Sequence, residues 1–400
     1  MTRDTRLILA AQAARAFAYG LGAVLLGATL DDLGFGSVEV GLVLGSVLAG
    51  TVVASLVVGR YGDRVGRRRC YRTLYALLAI TGVAFALSRS AWVLVAVALL
   101  GALSTEVIES GPFTTLEQSM LAGQFETRRL ARGFSVYNAV AAAGGSVGAL
   151  AASAIGPLRR VWTNPPDQQR FFLLLVPAAL VGLLLARRLS VAVENGAGPS
   201  ASREVLRESR PTVMRLAALF SVDSFAGGFT VQAFVAFWLS QRFHASVGVI
   251  GVTFFAFGVL QTASFLSSGW LAERFGLLPT MVFTHLPSNL VLVAVAFSPN
   301  LTVAIALLLV RVLLSQMDVS PRQAYVMALV PPSERTAAAS VTNTARYLTR
   351  PAGPVLAGAA QSVALGFPFV IAGTLKSVYD VALWRWFRRV PLPDHEEVIA

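Results

Sequence analysis

Charge is what this sequence is shortest of. Only 14% of its 400 residues are Asp, Glu, Lys or Arg, against roughly 25% in an ordinary soluble domain. Combined with 55% hydrophobic residues and a mean hydropathy of +0.66, that leaves too little polar surface for a water-soluble fold of this size. Cysteine is nearly absent as well: the lone Cys70 excludes an internal disulfide and a cysteine metal cluster. The three histidines, His244, His285 and His395, are scattered and supply neither a nucleophile–base pair nor a metal set. No enzyme, metal site or cofactor is therefore expected. The Gly-x4-Gly-Lys-Ser/Thr loop is missing, which removes ATP as an energy source. The polar tails are too short for a soluble signalling domain, which argues against a sensor.

What the chain has in abundance is apolar runs of bilayer-spanning length, about 20 residues each. The pattern predicts an all-α integral membrane protein with twelve spans. They cover residues 5–30, 38–60, 70–87, 92–121, 130–155 and 171–189, then 213–240, 247–271, 279–297, 301–329, 336–363 and 368–387. The first is too long for a signal-peptide core and lacks a cleavage site, so it is expected to stay. Arginines collect in alternate loops: Arg3 and Arg6; Arg60, Arg64, Arg67, Arg68, Arg69 and Arg72; Arg128, Arg129 and Arg132; Arg187 through Arg215; Arg385, Arg388 and Arg389. Under the positive-inside rule both termini lie in the cytoplasm of a plasma membrane. The net charge of +12 thus reports topology, not nucleic acid.

The chain also matches itself. A shift of 208 lays Phe17-Ala18-Tyr19-Gly20 over Phe225-Ala226-Gly227-Gly228; one of 210 lays Gly59, Asp63, Arg64 and Gly66 over Gly269, Glu273, Arg274 and Gly276. A shift of 205 lays Ser135-Val136-Tyr137-Asn138 over Ser340-Val341-Thr342-Asn343, and Gly148 over Gly353. Three ordered matches at nearly one offset indicate duplication. The expected organisation is a six-helix half at 1–190, a flexible linker at 191–212, a second half at 213–390 and a tail at 391–400.

Gly59-Arg60-Tyr61-Gly62-Asp63-Arg64-Val65-Gly66-Arg67-Arg68-Arg69 joins the second and third spans. It resembles the signature loop of the major facilitator superfamily, with Glu273 and Arg274 in a weaker second copy. With the spans and the duplication, the resemblance covers essentially the whole chain. It implies secondary transport by alternating access, in a fold of two pseudo-symmetric halves. It also makes Gly59, Asp63, Arg64, Gly66, Arg67, Arg68, Glu273 and Arg274 a cytoplasmic gate. Two other signatures are incomplete. Where drug-exporting relatives carry an arginine four residues before a glycine, Val97 precedes Gly101; and Gly144-Gly145-Ser146-Val147-Gly148 lacks the proline of antiporter relatives, although Gly353-Pro354 occurs in the eleventh span.

Charged groups inside a membrane cost about 2.5–3.5 kcal/mol each on the mildest scale. By resemblance, the first, fourth, seventh and tenth spans surround the substrate. They carry Arg15 and Tyr19; Glu106, Glu109 and Glu117; Asp223 and Gln232; and Arg311, Ser315, Asp318 and Arg322. Helical spacing places Glu106, Glu109, Phe113 and Glu117 on one face, Arg311 through Arg322 on another, and Asn343, Arg346 and Arg350 on a third. Within the cavity set, Asp223, Glu109, Glu106 and Asp318 are the candidates for proton coupling. The repeat lays Arg15 over Asp223, Glu106 over Arg311 and Glu117 over Arg322, so opposite charges are expected to meet across the midline. Lys376 and Asp380 are four apart and are expected to neutralise each other; His285 is read as a hydrogen-bonded helix residue beside Pro287, with a proton relay as the alternative. Gln316 to Gln323 reads as a broken cavity helix.

The expected function is proton-coupled movement of a small organic solute, anionic or zwitterionic given the arginines. Proton-driven export of drugs or metabolites is the alternative, and a transporter-like sensor a remote one. The protein is expected to work as a monomer in the bilayer.

Overall fold

The computed structural model describes residues 2–107, 111–122, 127–163, 166–194, 206–331 and 334–390. Among them every regular element is a helix. The first three spans are α1 (Arg3–Asp32), α2 (Ser37–Val65) and α3 (Arg67–Leu87). The fourth is divided into α4 (Ala91–Ala98) and α5 (Gly111–Ala122); the fifth is α6 (Thr127–Ser153), followed by the short α7 (Ile155–Val161). A 3-10 turn, Gln168–Leu174, leads into α8 (Leu175–Arg187) as the sixth. The seventh is α9 (Arg210–Gly228) plus α10 (Gln232–Phe243), the eighth α11 (Val247–Phe275) and the ninth α12 (Leu277–Ala296). The tenth is α13 (Leu301–Ser315) plus α14 (Val319–Ala328), the eleventh α15 (Arg335–Thr349) plus α16 (Ala352–Val363), and the twelfth α17 (Phe367–Phe387).

Nine helices among the described residues are long and apolar enough to cross a membrane on their own. The fourth, eleventh and twelfth spans are outside that set. The first two of these are interrupted, and α17 carries Lys376, Asp380 and Arg385. Large apolar side chains such as Trp92, Trp270, Phe283, Phe297, Leu290 and Trp386 are exposed, as a lipid-facing surface requires.

The fourth span departs from the expected single segment, 92–121. Its helix stops at Ala98, and residues 99–107 run irregularly. Gly101 adopts φ +72°, and a β-carbon there would strike the backbone of Gly50 on α2. Ser104 Oγ accepts from Glu106 N at 3.0 Å and donates to its carbonyl at 3.1 Å. Such local side-chain bonds compete with the helical ladder. Tyr19 donates to the carbonyl of Ala102 at 2.8 Å, satisfying one backbone group that the break releases. The expected row Glu106–Glu109–Phe113–Glu117 therefore does not form: α5 begins at Gly111, after Glu106, and Glu109 lies outside the described residues. The tenth span breaks at Gln316–Asp318, where its sequence predicts.

The chain forms two compact units, one of Met1–Ser200 with Val231–Val259, the other of Ala201–Thr230 with Leu260–Ala400. In the first, α1 packs on α6 with Gly20 against Gly145 and Gly148 against the backbone of Phe17. In the second, Gly228 meets Gly353 as α9 packs on the eleventh span. These are the positions related by shifts of 208 and 205, so the duplicated glycines permit close backbone approach in both copies. Gly66 and Gly276, a shift of 210 apart, hold φ +97° and +91° at matching helix junctions. The core of the second unit joins Val213, Leu216 and Phe220 of α9 to Met281 and Val282 of α12, Tyr325 of α14, and Tyr379 and Leu383 of α17.

Candidate functional site

Each unit encloses a charged cluster in its apolar interior. In the first unit, α1 presents Arg15 to Glu117 of α5: Nη2 lies 2.7 Å from Oε2, and Nε donates to Oε1 at 3.3 Å. Both side chains have zero exposure. Tyr71 of α3 donates to Oε1 at 2.7 Å and Tyr137 of α6 to Oε2 at 2.7 Å. Tyr75 donates to the carbonyl of Ala11 at 2.7 Å. The rings of Tyr19 and Phe113 lie 5.2 and 5.4 Å from the Arg15 guanidinium carbon, within cation–π range. Glu117 thus has donors on both oxygens, and the pair sums to zero charge.

In the second unit, Asp223 of α9 stands between two cations. Lys376 Nζ of α17 is 2.5 Å from Oδ1, and Arg322 Nη1 of α14 is 3.4 Å from Oδ2. Arg322 also reaches Asp318, at the break of the tenth span, at 3.0 Å. His285 of α12 faces Asp380 of α17 through Nδ1 at 2.9 and 3.0 Å, and Asp223 through Nε2 at 3.8 Å. Asn289 donates to Asp380 at 2.8 Å. Every one of these side chains is buried. Three carboxylates here meet two permanent cations, so among the described residues the cluster balances only with one further proton. An uncompensated buried charge costs several kcal/mol.

The sequence-predicted residues divide accordingly. Arg15, Tyr19, Asp223 and Asp318 are brought into these clusters. Arg15 and Asp223 each have a partner within their own unit: the sign-inverted pairs Arg15–Glu117 and Asp223–Arg322 occupy positions related by 223 − 15 = 208 and 322 − 117 = 205. Lys376 goes to Asp223, and Asp380 to His285 and Asn289, in place of the expected Lys376–Asp380 neutralisation. Glu106, Gln232, Arg311 and Arg346 are half-buried, and Asn343 is exposed on α15. His285, Lys376, Asp380, Tyr71 and Tyr137 complete the clusters without having been singled out as cavity residues, while Glu117 was read from its charge on the fourth span. The repeat carried a signal for His285, since 285 − 210 = 75 places it at Tyr75 of the first cluster.

At the α2–α3 junction, Gly59, Arg60 and Arg64 are exposed and Arg67 is buried. The side chain of Asp63 lies outside the described ones. Glu194, just after α8, accepts from the backbone N–H of Arg67 at 2.7 Å and of Arg68 at 3.1 Å. Its carboxylate caps the positive end of α3, a partner that sequence reasoning missed. In the second copy Glu273 and Arg274 are exposed, with Arg274 over the rings of Trp270 and Phe275 at 5.6 and 5.8 Å.

The family model described as Major Facilitator Superfamily matches this chain over residues 8–354 and 216–399. An uncharacterized membrane protein of Saccharomyces cerevisiae, YJR124C, is 25% identical over 418 residues, covering 96% of this chain and 93% of its own. Among solved structures, a D-xylose–proton symporter superposes with a TM-score of 0.74 at 14% identity, over 97% of this chain and 98% of its own. A bacterial homologue of the human lysosomal transporter Spinster gives 0.76 at 15% identity, over 97% and 96%.

Proposed function

The chain belongs to the major facilitator superfamily, and on that premise we propose that it moves a small organic solute by alternating access, coupled to protons. The two halves are 1–190 and 213–390, joined by the linker 191–212, with both termini cytoplasmic and the plasma membrane as location. The observation that carries proton coupling is the Asp223 cluster. A carboxylate held by two cations on a cavity span releases them when it takes a proton, and spans nine, ten and twelve meet at that point. A likeness in fold to a D-xylose–proton symporter is compatible with this reading.

The preference for an anionic or zwitterionic solute rests on the arginines of the cavity spans, of which Arg15 pairs with Glu117. The loop from Gly59 to Arg68 acts as the gate, with Glu194 fixing the start of α3 that Arg67 and Arg68 open.

The experiment is a thermal-stability screen of the purified protein against organic anions, amino acids, phosphorylated metabolites, D-xylose and lipophilic cations. A ligand at 100 times its Kd stabilises by about 2.7 kcal/mol. A hit is then carried into proteoliposomes. An inward proton gradient should drive its accumulation in the wild type, while Asp223→Asn exchanges solute without accumulating it. Stabilisation by cations alone refutes the anion preference, and gradient-driven accumulation by Asp223→Asn refutes the coupling role.

A further inference from the structure

The two clusters are copies of one arrangement, and their difference is chemical. At the shift of 210, His285 stands where the first unit has Tyr75 (285 − 75 = 210). Tyr75 packs on Gly182 of α8, where a β-carbon would strike its ring. His285 packs on Asp380 of α17, the sixth span of the second half as α8 is of the first. An uncharged tyrosine–glycine contact in one copy is thus a titratable histidine–carboxylate contact in the other. Among the described residues, the first cluster sums to zero without a proton and the second needs one.

We propose that His285 and Asp380, on spans nine and twelve, form the site that binds the coupling proton; this rests on the proton-coupled reading above. The groups facing the pair are identified element by element. From α9 comes Asp223; from the tenth-span break and α14, Asp318 and Arg322; from α17, Lys376 and the Tyr379 ring, 6.0 Å from that of His285. The half-buried Arg311 of α13 meets α12 through its carbonyl, which accepts from Ser288 Oγ at 3.2 Å. Asn289 holds Asp380 from α12 itself.

Nδ1 of the imidazole is turned to Asp380 and Nε2 to Asp223, so the ring bridges a remote carboxylate to the one on a cavity span. Transfer of the Nε2 proton to Asp223 Oδ1 leaves a neutral imidazole, still hydrogen-bonded through Nδ1–H to Asp380, and a neutral carboxyl at Asp223. The total charge is unchanged; Lys376 loses its anion, and Arg322 keeps only Asp318. The 3.8 Å gap must close to the ~2.6–3.2 Å of a productive hydrogen bond, which makes the transfer dependent on movement of α9 against α12. Loss of the Asp223 proton to water, followed by uptake of a new proton at His285 Nε2, resets the site.

Three histidines make the test tractable. In the reconstituted full chain with 15N-labelled histidine, the signal absent from His285→Gln should report a doubly protonated ring at pH 7. Asp380→Asn removes the excess carboxylate and should make that ring neutral. A ring that is neutral from pH 5 to 9, or indifferent to Asp380→Asn, overturns the assignment.

The second variant, His285→Tyr with Asp380→Gly, restores the pair of the first unit and leaves two carboxylates against two cations, so it is charge-balanced and should fold. With a solute taken from the stability screen, its proton movement is read per solute exchanged. It should lose the solute-driven proton movement seen with an entrapped pH dye at least tenfold. Undiminished proton movement in this variant overturns the assignment alone. Wild-type solute transport without any proton movement overturns the coupling premise.

Discussion

Replacing Arg15 by methionine keeps most of the side-chain volume and removes the only cation facing Glu117 among the described residues. The carboxylate retains Tyr71 and Tyr137 as donors, each at 2.7 Å, but stays fully buried without a counter-charge. Breaking a buried pair in this way costs about 3–5 kcal/mol. The cation–π contacts to Tyr19 and Phe113 add up to about 0.5–2 kcal/mol each. Glu117→Gln leaves the reverse problem, a buried guanidinium facing a neutral amide, with a loss of similar size. Since both losses arise mostly from one orphaned charge, the double variant removes the cause. It should be no less stable than either single one, giving a coupling energy of at least about 3 kcal/mol. Denaturation in detergent, followed by modification of the partly buried Cys70 on α3, measures all four corners of the cycle. Additivity within about 0.5 kcal/mol would refute the claim that this pair holds the first unit together.

Two further outcomes follow from the backbone. Gly101→Ala should destabilise by at least about 1–2 kcal/mol, the cost of a left-handed conformation at φ +72°, with more from the clash with Gly50; a neutral effect would show that the break in the fourth span is misplaced. Glu334 accepts the backbone N–H groups of Arg207 at 2.9 Å, Glu208 at 3.1 Å and Ser209 at 3.2 Å. The Arg207 bond and its neighbours hold that carboxyl below its ordinary 4.5. A folded-state value below the unfolded one stabilises above pH ~4.5 and fades as pH falls through the folded value. Acid unfolding of the wild type should therefore be steeper below pH ~4.5 than that of Glu334→Gln, and identical acid limbs would contradict it.

Much of the fold was legible because its signals are local. Hydropathy marks a span within its own 20 residues, and the shifts of 205 to 210 carry Gly20 onto Gly228, Gly66 onto Gly276 and Gly148 onto Gly353 without any knowledge of packing. The break near Gln316–Asp318 was readable from its polar density; that at Gly101 was not, since Gly50 enforces it from another helix. The site was legible as a set of charged positions. Arg15, Asp223 and Asp318 stood out because charge inside a span is costly. His285 offered two readings, a proton relay and a hydrogen-bonded helix residue, and its place beside a proline did not decide between them.

What the sequence determined by itself, then, is the inventory: how many spans, which are duplicates, and which carry charge where lipid would forbid it. Only the tertiary structure decided who pairs with whom. Lys376 and Asp380 are near neighbours along one helix, yet Lys376 takes Asp223, 153 residues away, and Asp380 takes His285, 95 residues away. Arg15 and Asp223 are opposite in sign and related by the repeat, yet each is satisfied inside its own unit. The reason is physical. A desolvated charge is stabilised only by a partner at about 3 Å with no water between, and that distance is set by which helix faces pack together, which spacing along one helix does not encode.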